Sequence, residues 1–161
     1  VTPALFSRFP SAKEMAQAEA GDILDYIASV SYPNAKAGHL AAMAKKLVEN
    51  FGGEVPETMD ELTSLPGVGR KTANVMLAVA FDKAAMPVDT HVFRVSHRLK
   101  LVPKTADTPE KVERHLTRLI PGHLLSKAHH WLLLHGRYTC TARKAHCEKC
   151  EIADFCPSKN V

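Results

Sequence analysis

Four cysteines lie close together near the C-terminus: Cys140, Cys147, Cys150 and Cys156, spaced Cys-x6-Cys-x2-Cys-x5-Cys. Thiolates this near in sequence can wrap one metal centre, whereas a disulfide scaffold spreads its cysteines through the chain. A structural zinc site more often shows two Cys-x2-Cys knuckles, and only Cys147 and Cys150 make one here. The wider flanking loops suit a larger iron–sulfur cluster. Spacing alone leaves zinc and cluster both open and points toward the cluster. Arg143 and Lys144 occupy the first loop, so a metal-held tether would project them from the surface.

A second group is Leu65-Pro66-Gly67-Val68-Gly69 followed by Arg70 and Lys71. Alternating glycines permit positive φ, keep side chains away and leave amides near the next helix start, where a DNA phosphate could sit without base readout. A tight interhelical turn is the other use of such a segment. Lys71 falls in the first turn of the following helix. There the helix dipole and apolar neighbours would disfavour an ammonium. Only a neutral amine attacks carbon, so this is a candidate nucleophile. A surface lysine or a phosphate contact is the plainer reading. Asp89, in Val88-Asp89-Thr90-His91, is its candidate partner, although an aspartate before a helix is usually a cap.

The elements that must position these groups are helical, and strand alternation is missing. Ser11 and Glu14 form a capping-box pattern for a helix through about Glu19, broken by Gly21, with Asp22 capping the next. Pro33-Asn34 opens a helix whose Leu40, Met43, Ala44, Leu47, Val48 and Phe51 make one apolar stripe, closed by Gly52-Gly53. Thr58 and Glu61 start a short helix reaching Leu62. The segment from Arg70 to Phe81 is apolar nearly all round and predicts a buried central helix. Asp89 caps a helix over Thr90–Leu99, Thr108-Pro109 starts one reaching Ile120, and His123–His135 forms the last. That last helix would turn Leu124, Leu125, Ala128, Trp131 and Leu132 to the core. The fold class is all-α.

Composition limits the function classes. The chain has 161 residues, 45% hydrophobic and 24% charged, which excludes a disordered or fibrous protein. The longest apolar run, Ala73 to Phe81, falls short of the ~18 residues of a membrane span. No signal stretch opens the chain, so a cytoplasmic protein is expected, without a membrane partner. The net charge of +4 hides an asymmetry: residues 91–146 carry +8 and the remainder −4. A polyanion-binding face is one reading of that distribution, and a solvated surface is the other.

Taken together, Leu65–Asn74, Val88–Val95 and His130–Cys140 resemble the endonuclease III family, bifunctional DNA glycosylases of the helix-hairpin-helix superfamily. The resemblance runs from Val1 to about Cys156. It implies a helical lobe over 1–83, a cluster lobe over 84–161 and a DNA cleft between them. It also implies a [4Fe–4S] cluster on Cys140, Cys147, Cys150 and Cys156, Lys71 as Schiff-base nucleophile and Asp89 as catalytic carboxylate. The expected activity is excision of oxidised pyrimidines from duplex DNA, followed by strand cleavage at the abasic site.

Leu65, Gly67, Val68, Gly69, Arg70, His91, Arg94, Arg143 and Lys144 are the expected DNA contacts, and a monomer associated with the nucleoid is expected. Adenine glycosylases of the superfamily carry the cluster without the lysine, and 8-oxoguanine enzymes carry the lysine without the cluster. This chain has both. The family also carries sequence ahead of the point matching Val1: two helices and a Gln-bearing loop that fills the space left by a flipped base. The chain is therefore expected to be N-terminally short. A DNA-binding module without catalysis is the alternative function.

Overall fold

The computed structural model describes residues 1–159, and among them there is no strand, only an isolated bridge between Cys140 and Ala145. The chain packs as two compact units, Val1–Ala73 and Asn74–Val161. This division falls earlier than the 83/84 boundary placed from the sequence. The segment after Ala73 packs with unit 2, where Ser126 Oγ donates to the Ala78 carbonyl at 3.2 Å.

The first unit contains α1 (Thr2–Arg8), α2 (Ala12–Ala16), α3 (Ala20–Ile27), α4 (Pro33–Phe51) and α5 (Met59–Ser64). The sequence reading missed α1, which has no side-chain cap to announce it. Ser11 caps α2 by accepting from the Lys13 amide at 3.1 Å. Gly21 does not break the chain between helices, contrary to expectation; it lies inside the first turn of α3. Glu19 is the N-cap there, and Asp22 accepts from the Glu19 amide at 2.9 Å. The long α4 ends as anticipated, with Gly52 at φ +64° and the Gly53 amide bonded to Leu47 O.

The buried face of α4 keeps Ala44 and Leu47 of the expected stripe and shifts otherwise: Ala37 and Ala41 face the core, while Leu40 and Met43 are half-buried. Small side chains let α4 approach α2 and α3 closely, and that contact selects the face. Leu40 and Met43 instead line a cavity of about 330 Å³ beneath Pro66, Gly67 and Val68.

Helix α6 (Arg70–Val75) spans the division and continues as a π-helical turn over Met76–Ala80. The wider winding is seen in the Phe81 amide bonding to Met76 O at 3.2 Å. The segment is not buried all round as expected. Val79 is 58% exposed, two positions on from the buried Leu77 and so on the opposite side of the turn.

The second unit continues with α7 (Thr90–Arg98), α8 (Pro109–Leu119) and α9 (Leu125–Tyr138), followed by the cysteine segment with two short 3-10 turns. Its core gathers Met86, Val92, Val95, Val112, Leu116, Leu125 and Leu132. Trp131, expected inside, is 59% exposed. The buried positions of α9 are Leu125, Ala128, His129, Leu132 and Gly136, a helical period that passes Trp131 by. His129 takes an inner position and pairs its Nδ1 with the Pro87 carbonyl at 2.9 Å. No helix among the described residues is long and apolar enough to cross a membrane.

Candidate nucleic-acid interface and cysteine centre

The hairpin is built by a turn of defined type. Pro66 and Gly67 occupy its centre, the Val68 amide bonds to Leu65 O at 3.1 Å, and Gly67 has φ +77°. Proline followed by a positive-φ glycine is the type II signature. Gly67 also meets α4 closely: an added Cβ would lie 2.8 Å from His39 Cβ. Lys46 of α4 donates to Ser64 O at 2.7 Å, closing the C-terminal end of α5. The end of α5 and the turn that follows it are therefore seated on α4.

Gly67, Gly69 and Arg70 are exposed, as a phosphate-binding turn requires, and Val68 is half-buried. Leu65 differs: its side chain is 4% exposed and belongs to the core, so it meets the turn only through its carbonyl. Lys71 lies in the first turn of α6 and is exposed, without the apolar burial expected for it. It belongs to unit 1 and Asp89 to unit 2.

Asp89 is the N-cap of α7. Its Oδ1 accepts from the amides of His91 at 2.9 Å and Val92 at 2.8 Å, which fixes the carboxylate on the helix end. One turn on, the half-buried Arg94 bonds to backbone carbonyls of the same unit. Its Nη2 donates to Gly136 O at 2.7 Å and its Nε to Cys140 O at 3.2 Å. His91 Nδ1 lies 3.3 Å from the same Nη2. The carbonyls ending a helix attract a cation, and Arg94 satisfies that of Gly136 in the last turn of α9. Gly136 makes this approach possible, since a Cβ there would come within 2.9 Å of His91 Cβ.

Cys140, Cys147, Cys150 and Cys156 are free thiols, each half-buried, and all four line one cavity with His135, His146 and Arg98. Among the described residues no three His, Cys, Asp or Glu side chains converge closely enough to hold a single metal ion. Four thiols lining one cavity are a donor set that suits a thiolate-held metal centre, zinc or iron–sulfur. Burial lowers the pKa of His135 from its ordinary value. Glu148 is held below the usual carboxylate range, first by its own backbone amide and then by His146.

Arg143 and Lys144 are exposed on the first loop. That loop closes on itself, with Thr141 Oγ1 donating to Lys144 O at 2.6 Å, and is tied to α7 by Arg98 Nη1 donating to Thr141 O at 2.7 Å. Nothing in the local sequence marked Arg98 for this role.

Residues 1–122 match the family described as HhH-GPD superfamily base excision DNA repair protein; the match stops short of the cysteines. The chain is 43% identical over 155 residues to Endonuclease III of Rickettsia conorii, covering 96% of this chain and 73% of that protein. It is 46% identical over 134 residues to Endonuclease III of Escherichia coli, covering 83% and 63% respectively. Among solved structures, a trapped Endonuclease III–DNA covalent intermediate superposes with a TM-score of 0.91 at 36% identity, covering 98% of this chain and 74% of that one.

Proposed function

The chain belongs to the endonuclease III group of the HhH-GPD base excision repair superfamily, and from that premise we propose that it excises oxidised pyrimidines from duplex DNA and cleaves the resulting abasic site through Lys71. The observation that carries this reading is the exposed Lys71 in the first turn of the helix leaving the type II hairpin. The hairpin amides hold a backbone phosphate beside it. A target base must leave the stack before its glycosidic carbon is reachable.

The neutral Lys71 amine then attacks C1′ of the sugar. The C1′–N bond breaks, and the base departs with the bonding electrons and acquires a proton. The amine sheds one proton, the C1′–O4′ bond breaks with its electrons going to O4′, which is protonated, and an iminium forms between Nζ and C1′. That iminium acidifies the C2′ hydrogen, whose removal expels the 3′ phosphate by β-elimination and cuts the strand. Asp89 uses Oδ1 for its cap, so Oδ2 is the oxygen that steadies positive charge developing on the sugar or takes a proton. Cys140, Cys147, Cys150 and Cys156 would hold the family's [4Fe–4S] cluster. Bound there, it supplies a rigid organising centre for the loop bearing Arg143 and Lys144.

Borohydride reduction in the presence of an abasic-site duplex tests this reading. The expected result is a covalent protein–DNA adduct with the parent chain and none with Lys71→Ala. Equal adduct yield from both would sink the role of Lys71. Salt-sensitive duplex binding without adduct or nicking would leave a DNA-binding module instead.

A further inference from the structure

The end of α7 carries an arginine that the reaction does not use. Arg98 is the last residue of the helix and is half-buried at the wall of the cysteine cavity. Its Nη1 lies 3.2 Å from Cys140 Sγ and donates as well to Thr141 O at 2.7 Å. Its Nη2 reaches Ala142 O at 3.4 Å. Nη1 also lies 3.3 Å from Cys140 O, so one planar group spans the Cys140 sulfur and the carbonyls of Cys140, Thr141 and Ala142. A lysine ammonium is a point donor on a flexible stem and cannot hold the same four positions at once.

Two physical consequences follow for a sulfur that ligates iron. A donor that fixes the ligand's orientation slows loss of the metal, because the sulfur is already aimed when a bond to iron opens. An N–H donated to a ligating sulfur also draws electron density from it, which makes the reduced cluster easier to form and raises the reduction potential. Cys140 is well placed to show both. It stands apart from the Cys147–Cys150 knuckle, across a loop with its own internal turn, so its direction depends on what grips that loop. Arg94 grips the backbone at Cys140 O, whereas Arg98 also reaches the sulfur.

We propose that Arg98 is a positioning residue for the cluster: it fixes Cys140 as a ligand and raises the cluster's reduction potential through an N–H···S hydrogen bond. This rests on the cluster reading given above. The test uses the full chain as parent, Arg98→Lys and Arg98→Gln, each loaded anaerobically with iron and sulfide. Arg98→Lys keeps the charge and loses the fork, so it separates hydrogen bonding from simple electrostatics.

The expected result is that Arg98→Lys folds and binds iron but surrenders it to a chelator roughly ten-fold faster than the parent. Its midpoint potential shifts negative, and Arg98→Gln, which also removes the charge, shifts further. In the parent, exchange into deuterated water moves the Fe–S(Cys) stretching bands in the resonance Raman spectrum, and the movement shrinks in both variants. Parent-like iron retention, potential and isotope response in Arg98→Lys would overturn the proposal while leaving the cluster in place. A parent without any isotope response would overturn the sulfur contact even if neither variant folds. A parent that stays colourless and iron-free after loading would overturn the cluster reading itself, and the role of Arg98 with it.

Discussion

Replacing Gly67 by alanine should destabilise the first unit by about 1–4.5 kcal/mol, from two costs that the geometry separates. The first is conformational: φ at Gly67 is +77°, and a side chain in the left-handed region costs about 1–2 kcal/mol. The second is steric. The new Cβ would stand 2.8 Å from His39 Cβ, 2.9 Å from its Cγ and 3.1 Å from its Nδ1. His39 Cβ is anchored to the backbone of α4 and cannot swing aside, so the clash resembles overpacking, at about 1–3 kcal/mol. The lower entropy of an unfolded alanine returns only about 0.4–1 kcal/mol.

Chemical denaturation followed by helical circular dichroism measures the sum, and a double-mutant cycle with His39→Gly resolves it. His39→Gly alone should cost roughly 0.3–0.5 kcal/mol through helix propensity, because histidine is already a weaker helix former than alanine. In the double variant the steric part vanishes and the φ part stays, so the two changes should couple favourably by about 1–3 kcal/mol. A Gly67→Ala chain within about 0.5 kcal/mol of the parent would refute the strain argument, being no more than an ordinary surface change. A full-sized loss with no coupling to His39 would refute the seating of the hairpin on α4.

Asp89→Ala should cost about 0.5–2 kcal/mol by removing the α7 cap, whereas Asp89→Asn keeps an acceptor for the His91 and Val92 amides and should cost much less. Both should lose base excision, measured as release of thymine glycol from a duplex, so an active Asp89→Asn would show that the carboxylate matters only as a cap. Replacing Arg143 and Lys144 together by alanine should flatten the dependence of log Kd on log salt by roughly one to two units. An unchanged slope from duplex titrations at several salt concentrations would return both residues to ordinary solvated loop.

What could be read from the sequence was local, because the physics behind it acts over a few residues. A helix cap is a hydrogen bond between neighbours, so Thr58, Thr108 and Asp89 announced α5, α8 and α7 with starts that the structure keeps. The Gly52 C-cap and the Pro66–Gly67 turn were legible for the same reason. Faces were harder. Ala37 and Ala41 carry little hydrophobic signal, yet they join Ala44 and Leu47 on the buried side of α4, because small size rather than apolarity lets its neighbours approach. The π-helical turn after Val75 was invisible, since one residue of extra winding leaves no mark in composition.

The candidate site divides along the same line. Lys71, Asp89 and the four cysteines sit in motifs short enough to be compared residue by residue. Arg94 shows the difficulty: its partners, Gly136 and Cys140, lie 42 and 46 residues away, so no local pattern announces them. Basic residues are ambiguous in just this way: the same guanidinium serves a phosphate, a helix end or a sulfur, and only the fold chooses among them. Arg98 makes the point most clearly. By type and neighbours it cannot be told from the other basic residues between 91 and 146, and it becomes a sulfur donor only because α7 and α9 close far enough, over a glycine at 136, to bring Cys140 against it.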